Sequence, residues 1–169
     1  MTCADSASDA IAFNIQSGLL KEGRIKIRFR YPGPMTSFSD KATNYDNYPD
    51  NTTTFTQDDR KVVFNRKIDS CSYYVYANWT NKATVRQNSN NAYVLDPATN
   101  SVRFSCTVTF DNGSQPKTAG PLSFTQVRQH SENGWKHFWQ SGAAVDFSQC
   151  TDKRAFELER RVVLSQYLL

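Results

Sequence analysis

The chain has 169 residues, enough for one domain with a real core. Apolar residues make up 38% and mean hydropathy is −0.63, which is polar for a globular domain, but a 13% aromatic content argues against disorder. The net charge of +4 makes the chain only mildly basic, and it holds no run of about 18 apolar residues that could cross a membrane.

The start, MTCADSASDAIAF, carries acids where a signal peptide needs bases and has no long apolar block. In residues 9–30, Ile11, Phe13 and Ile15 alternate with Ala12 and Asn14. After breakers from Ser17 to Gly23, Ile25, Ile27 and Phe29 alternate with Arg24, Lys26, Arg28 and Arg30. A strict period of two gives a half-buried strand with one apolar and one basic face. That basic face is either a polyanion site or a solvated sheet face with acidic neighbours on adjacent strands. No aromatic residue interleaves with it to stack bases, so the solvated face is expected and no nucleic-acid partner is inferred.

Residues 31–59 are rich in Pro, Gly, Ser, Thr, Asn and Asp and read as a long loop. Within it Tyr45, Asp46, Asn47 and Tyr48 combine flat rings with hydroxyl-binding groups, which suits a sugar. The alternative is a surface excursion pinned by its own aromatics. Short strands follow. Val62 and Phe64 mark one. Cys71, Tyr73, Val75, Ala77 and Trp79 share a face of the next, opposite Tyr74 and Tyr76. Thr84 to Gln87 and Ala92 to Leu95 flank a turn, and Val102, Phe104, Cys106, Val108 and Phe110 again alternate. Short strands separated by regular turns predict an antiparallel sandwich or barrel. Cys71 and Cys106 both fall on apolar faces, as buried thiols or as a disulfide.

Beyond residue 126 the pattern becomes helical. Trp135, Phe138 and Trp139 form an i, i+3, i+4 stripe that Gly142 closes. A last helix is expected from about Lys153, capped by Thr151 or Asp152, with Phe156, Val163 and Tyr167 near one line and Val162 and Leu158 beside it. Glu157 and Arg161 form a supporting i, i+4 pair. This helix carries no C-terminal stop signal.

Chemistry is sparse. Cys3, Cys71, Cys106 and Cys150 are far apart, and His130 and His137 are the two histidines, so no metal ligand set and no cofactor motif emerges. Ser131 beside His130 is read as helix entry rather than as part of a triad. Asp58 and Asp59, as strand neighbours, would point to opposite faces and cannot pair as glycosidase carboxylates. No catalytic residue is assigned. Asn51, Asn78 and Asn112 each head an N-x-S/T triplet, a hint that the protein is extracellular.

One resemblance covers nearly the whole chain. WKHFWQSGAAVDFS followed by TDKRAFELERRVVLSQYLL resembles the junction in six-hairpin (α/α)6 glycosidases, close in architecture to glycoside hydrolase family 65. There a β-sandwich passes through a Trp-containing linker helix into the first helix of a helical barrel. DAIAFNI with LLKEGRIKIRFRYP is similar to a late strand pair of that sandwich. The resemblance implies a mainly β chain: an incomplete, supersandwich-like antiparallel sandwich over 1–126, a linker helix and connector over 127–150, and the first helix of a truncated barrel over 151–169. It implies carbohydrate as ligand, a missing helical barrel of the same polypeptide as partner, and a catalytic acid and its partner outside this segment. The alternative is a stand-alone carbohydrate-binding or interaction sandwich.

Overall fold

A computed structural model of the chain describes residues 1–33, 45, 51–113 and 120–168. These form two compact units, residues 1–131 and residues 132–169. Among the described residues the first unit is built on nine strands in two antiparallel sheets. The strands are β1 Thr2–Ala4, β2 Ala10–Gln16, β3 Ile27–Arg30, β4 Asn51–Asp58, β5 Lys61–Ile68, β6 Cys71–Trp79, β7 Ala83–Ser89, β8 Ala92–Pro97 and β9 Arg103–Asp111. One sheet has the order β1-β2-β9-β6-β5-β4 and the other β3-β8-β7.

Alternation decides what each face does. Val62 and Phe64 of β5, Val75, Ala77 and Trp79 of β6, and Phe104, Cys106 and Val108 of β9 share one core with Val85 of β7 and Tyr93 and Leu95 of β8. Ile25, Ile27 and Phe29 pack against it, as their period-two spacing requires. At its centre the rings of Phe64 and Tyr93 lie 4.8 Å apart, with Phe29 5.4 Å and Tyr31 5.5 Å from Phe64. At one edge the Val85 amide donates to Gln57 Oε1 at 2.9 Å, linking β7 of one sheet to β4 of the other.

Three expectations change. The long loop is interrupted by β4, which pairs with β5 over its full length. Thr52, Thr53, Thr54 and Thr56 look like loop residues by polarity, but they are β-branched, and Phe55 among them packs on the core. Cys71 is exposed, not buried: it opens β6 beside the Asp69–Ser70 turn, at the strand's end. Cys106 is buried as expected, and burial pushes its thiol up to about 12. A Cys71–Cys106 bridge is ruled out by register. Cys106 pairs with Trp79 at the far end of β6, roughly 26 Å from Cys71 at about 3.3 Å per residue. All four cysteines are free.

The first helix, α1 (Phe124–Phe138), starts well before the aromatic stripe that marks it in the sequence. Its start is a capping box. Ser123 Oγ accepts from the Gln126 amide at 3.3 Å, and Gln126 Oε1 accepts from the Ser123 amide at 2.9 Å. Trp139–Ala143 continue as a wider turn that ends where Gly142 takes φ +102°. The second helix, α2, spans Ala155–Leu168. Asp152 Oδ1 accepts from the Arg154 amide at 2.9 Å just ahead of it.

Candidate functional site

The residues expected to touch a sugar are only partly placed. Tyr45 is exposed, and the Arg30 guanidinium lies 3.8 Å from its ring centroid. An aromatic ring therefore does accompany the basic face of β3, which sequence alternation alone could not reveal. Asp46, Asn47 and Tyr48 lie outside the described residues. Asn112 is exposed just after β9. Asn78 is half-buried in β6, between Lys61 of β5 and Thr107 of β9. Asn51 is the first residue of β4.

The aromatic stripe becomes a slab within the second unit. Trp135 stacks on Trp139 with centroids 6.1 Å apart and planes at 20°, and the Tyr167 ring lies 5.1 Å from Trp135. Phe138 meets Trp139 edge-on at 4.9 Å. On α2, Ala155 is buried and Val162 and Val163 are half-buried. On the side that begins beside Val163, Phe156 is 77%, Leu164 45%, Tyr167 59% and Leu168 72% exposed. At 100° per residue these four fall within about a third of the helix circumference, interleaved with Glu157 and Arg160. A groove of about 570 Å³ runs there, lined by Trp139, Phe156, Glu159, Arg160, Val163, Leu164 and Tyr167. Glu157 bonds Arg160 at 2.8 Å and Arg161 at 2.8 Å, and these two bonds hold its carboxyl down at about 2. The expected Glu157–Arg161 pair is present, with Arg160 as a second partner.

Three polar clusters occupy the first unit. In the first, His130 Nδ1 lies 2.7 Å from Asp5 Oδ1 and the Ser8 hydroxyl donates to Asp5 Oδ2. The Ser6 hydroxyl donates to the His130 carbonyl at 2.8 Å. Burial works against the Asp5 charge, but the Ser8 hydroxyl and His130 outweigh it and hold its carboxyl below the usual range. His130 thus fastens the middle of α1 to the β1–β2 turn, a contact across 125 positions that no local pattern announces.

The second cluster is a guanidinium. Arg66 of β5 is fully buried. Its Nη1 donates to Thr53 Oγ1 at 2.6 Å and to Asn91 Oδ1 at 3.0 Å, and its Nη2 to the Pro32 carbonyl at 3.3 Å. Its plane lies 4.7 Å from the Tyr31 ring. It joins β4, β5, the segment after β3 and the β7–β8 turn.

The third is an open polar cleft of about 470 Å³ lined by Gln57, Asp58, Asp59, Lys82, Ala83, Thr84, Asp96 and Ala98. Asp58 and Asp59 border it together, against expectation. β4 ends at Asp58 and Asp59 sits in the turn, so strand alternation no longer separates them. Asp96 bonds Lys26 at 2.9 Å and Arg86 at 3.1 Å. Burial opposes its charge, yet these two cations keep the carboxyl below its ordinary range.

A glycosidase acid requires a carboxyl raised above its usual range. The described carboxylates that shift, Asp5, Asp96, Asp146, Asp152 and Glu157, all shift downward. No group of three His, Cys, Asp or Glu suited to a metal occurs among the described residues. No helix among them is long and apolar enough to cross a membrane. Comparison with protein-family models, with curated proteins and with solved structures gives no match.

Proposed function

We propose that this chain is the β-sandwich and linker-helix segment of a carbohydrate-active six-hairpin glycoside hydrolase, and that it is non-catalytic by itself. The observation that carries the reading is α2. Phe156, Leu164, Tyr167 and Leu168 expose apolar side chains on a helix whose other side is already partly covered. Large apolar side chains left exposed beside an already covered side suit a helix that takes a further packing partner. A following helical domain of the same polypeptide would supply that cover and the acid–base pair. The two-sheet unit, the Trp-rich α1 and the downward-shifted carboxylates support the same reading. The sandwich contributes packing surface and loops near the sugar, and the parent protein works outside the cell.

A panel of aryl glycosides tests the non-catalytic role. No turnover by the chain alone is expected. Turnover abolished by changing one aspartate of this chain would overturn the proposal. A second reading, a stand-alone carbohydrate-binding sandwich, is favoured by the exposed Tyr45 ring held on Arg30. It requires a chain that stays monomeric with α2 strongly protected from hydrogen exchange.

A further inference from the structure

The outer face of the three-stranded sheet has an uneven charge distribution. Register places Arg28 of β3, Val94 of β8 and Arg86 of β7 in one row across it. Lys26 and Asp96 lie in the next row on one side, and Arg30, paired with Ala92, in the next on the other. Among the described residues, four cations therefore share this face with one carboxylate. That carboxylate, Asp96, is held by Lys26 and Arg86. Arg28 is exposed and has no ion pair among the described residues. Arg30 is exposed with its guanidinium on the Tyr45 ring.

We propose that this face binds a carboxylate-bearing polysaccharide through Arg28, Arg30 and Arg86. Arginine forks match carboxylates in two-bond geometry, and Asp96 shows a carboxylate already held on this face by Arg86 together with Lys26. Strand spacing sets Arg28 and Arg86 about 10 Å apart and Arg28 and Arg30 about 7 Å apart, so adjacent acidic sugars of one chain can engage them together. Stacking on Tyr45 limits the freedom of Arg30 before binding. A nucleic acid fits less well, because among the described residues Tyr45 is the one ring stacked on these arginines and stacking along a strand needs several. The inference rests on the carbohydrate reading above and deepens it by naming an acidic glycan.

The test is affinity electrophoresis of the full chain in gels containing polygalacturonate, dextran sulfate, neutral dextran or a single-stranded oligonucleotide. Polygalacturonate is expected to retard the chain, and 1 M salt, whose screening length is about 3 Å, to abolish most of the effect. The double variant Arg28→Gln, Arg30→Gln should lose about tenfold in affinity, a factor worth about 1.4 kcal/mol, with unchanged melting temperature. No retardation by polygalacturonate, retardation the double variant retains, or tighter binding of dextran sulfate overturns the proposal and leaves the glycosidase reading standing. Preference for the oligonucleotide overturns it and also counts against carbohydrate as ligand. The glycosidase reading fails separately, through an intact protein inactive on uncharged aryl glycosides.

Discussion

Arg66→Met removes the charge that ties four segments together while keeping much of the side chain's bulk. Two of its bonds, to Thr53 Oγ1 at 2.6 Å and Asn91 Oδ1 at 3.0 Å, are short and charge-assisted. Bonds of this kind contribute about 1.5–3 kcal/mol each. The 3.3 Å bond to Pro32 adds less, and the 3.5 Å approach to the Thr52 carbonyl lies beyond a useful length. Two effects reduce the loss. Thr53 Oγ1 still donates to Asn91 Oδ1 at 2.6 Å, and the cost of desolvating a guanidinium disappears. The Pro32 carbonyl loses its donor, at about 1–3 kcal/mol if it stays dry. The balance is a loss of about 2–3 kcal/mol for Met. For Ala it is about 3–5 kcal/mol, because a cavity is added. Urea unfolding followed by far-ultraviolet circular dichroism checks this, with the midpoint falling and the slope unchanged. Combining Arg66→Met with Thr53→Val should give a coupling of about 1 kcal/mol. A Met variant as stable as the parent would refute the clamp and show that the buried charge is a net burden.

Other outcomes follow from the same contacts. Asp5→Asn should cost about 1 kcal/mol near neutral pH, the value being modest because His130 is partly exposed. The folded pKa of Asp5 is depressed, so this stability is present above about pH 4 and is lost as pH falls through the folded value. Variant and parent should therefore converge in acid unfolding once pH has fallen below the folded value. In sedimentation velocity the isolated chain should self-associate, and Phe156→Glu with Leu168→Glu should restore a monomer; a parent chain already monomeric contradicts an uncovered α2. In the complete enzyme, Tyr45→Ala should reduce kcat/KM by about tenfold at unchanged melting temperature, and unchanged kinetics would leave Tyr45 only its contact with Arg30. After secretory expression, mass spectrometry should find glycan on the exposed Asn112 and none on the half-buried Asn78.

Much of the sheet structure was legible because side chains there alternate with a period of two. Most apolar residues of β3, β6 and β9 name their own core face, although Cys71 and Phe110, which share that alternation, are exposed. β4 was hidden because threonine is polar like a loop and branched like a strand, and composition registers only the first. The early start of α1 was readable in the Ser123–Gln126 box, a signal that the conspicuous tryptophans obscure. The polar sites were less accessible. Asp5 meets His130 across the length of the first unit, and Arg66 meets Asn91 only because two sheets face each other. The charge on β3 was visible, but Asp96, the carboxylate that opposes it, and the ring on Arg30 belong to other elements.

Capture of the native protein with an antibody raised against the first unit tests the central claim most directly. The captured polypeptide should be several times heavier than the 19.2 kDa of this chain and should carry glycosidase activity into the precipitate. A 19 kDa species without such activity would contradict a role as the sandwich segment of a glycoside hydrolase.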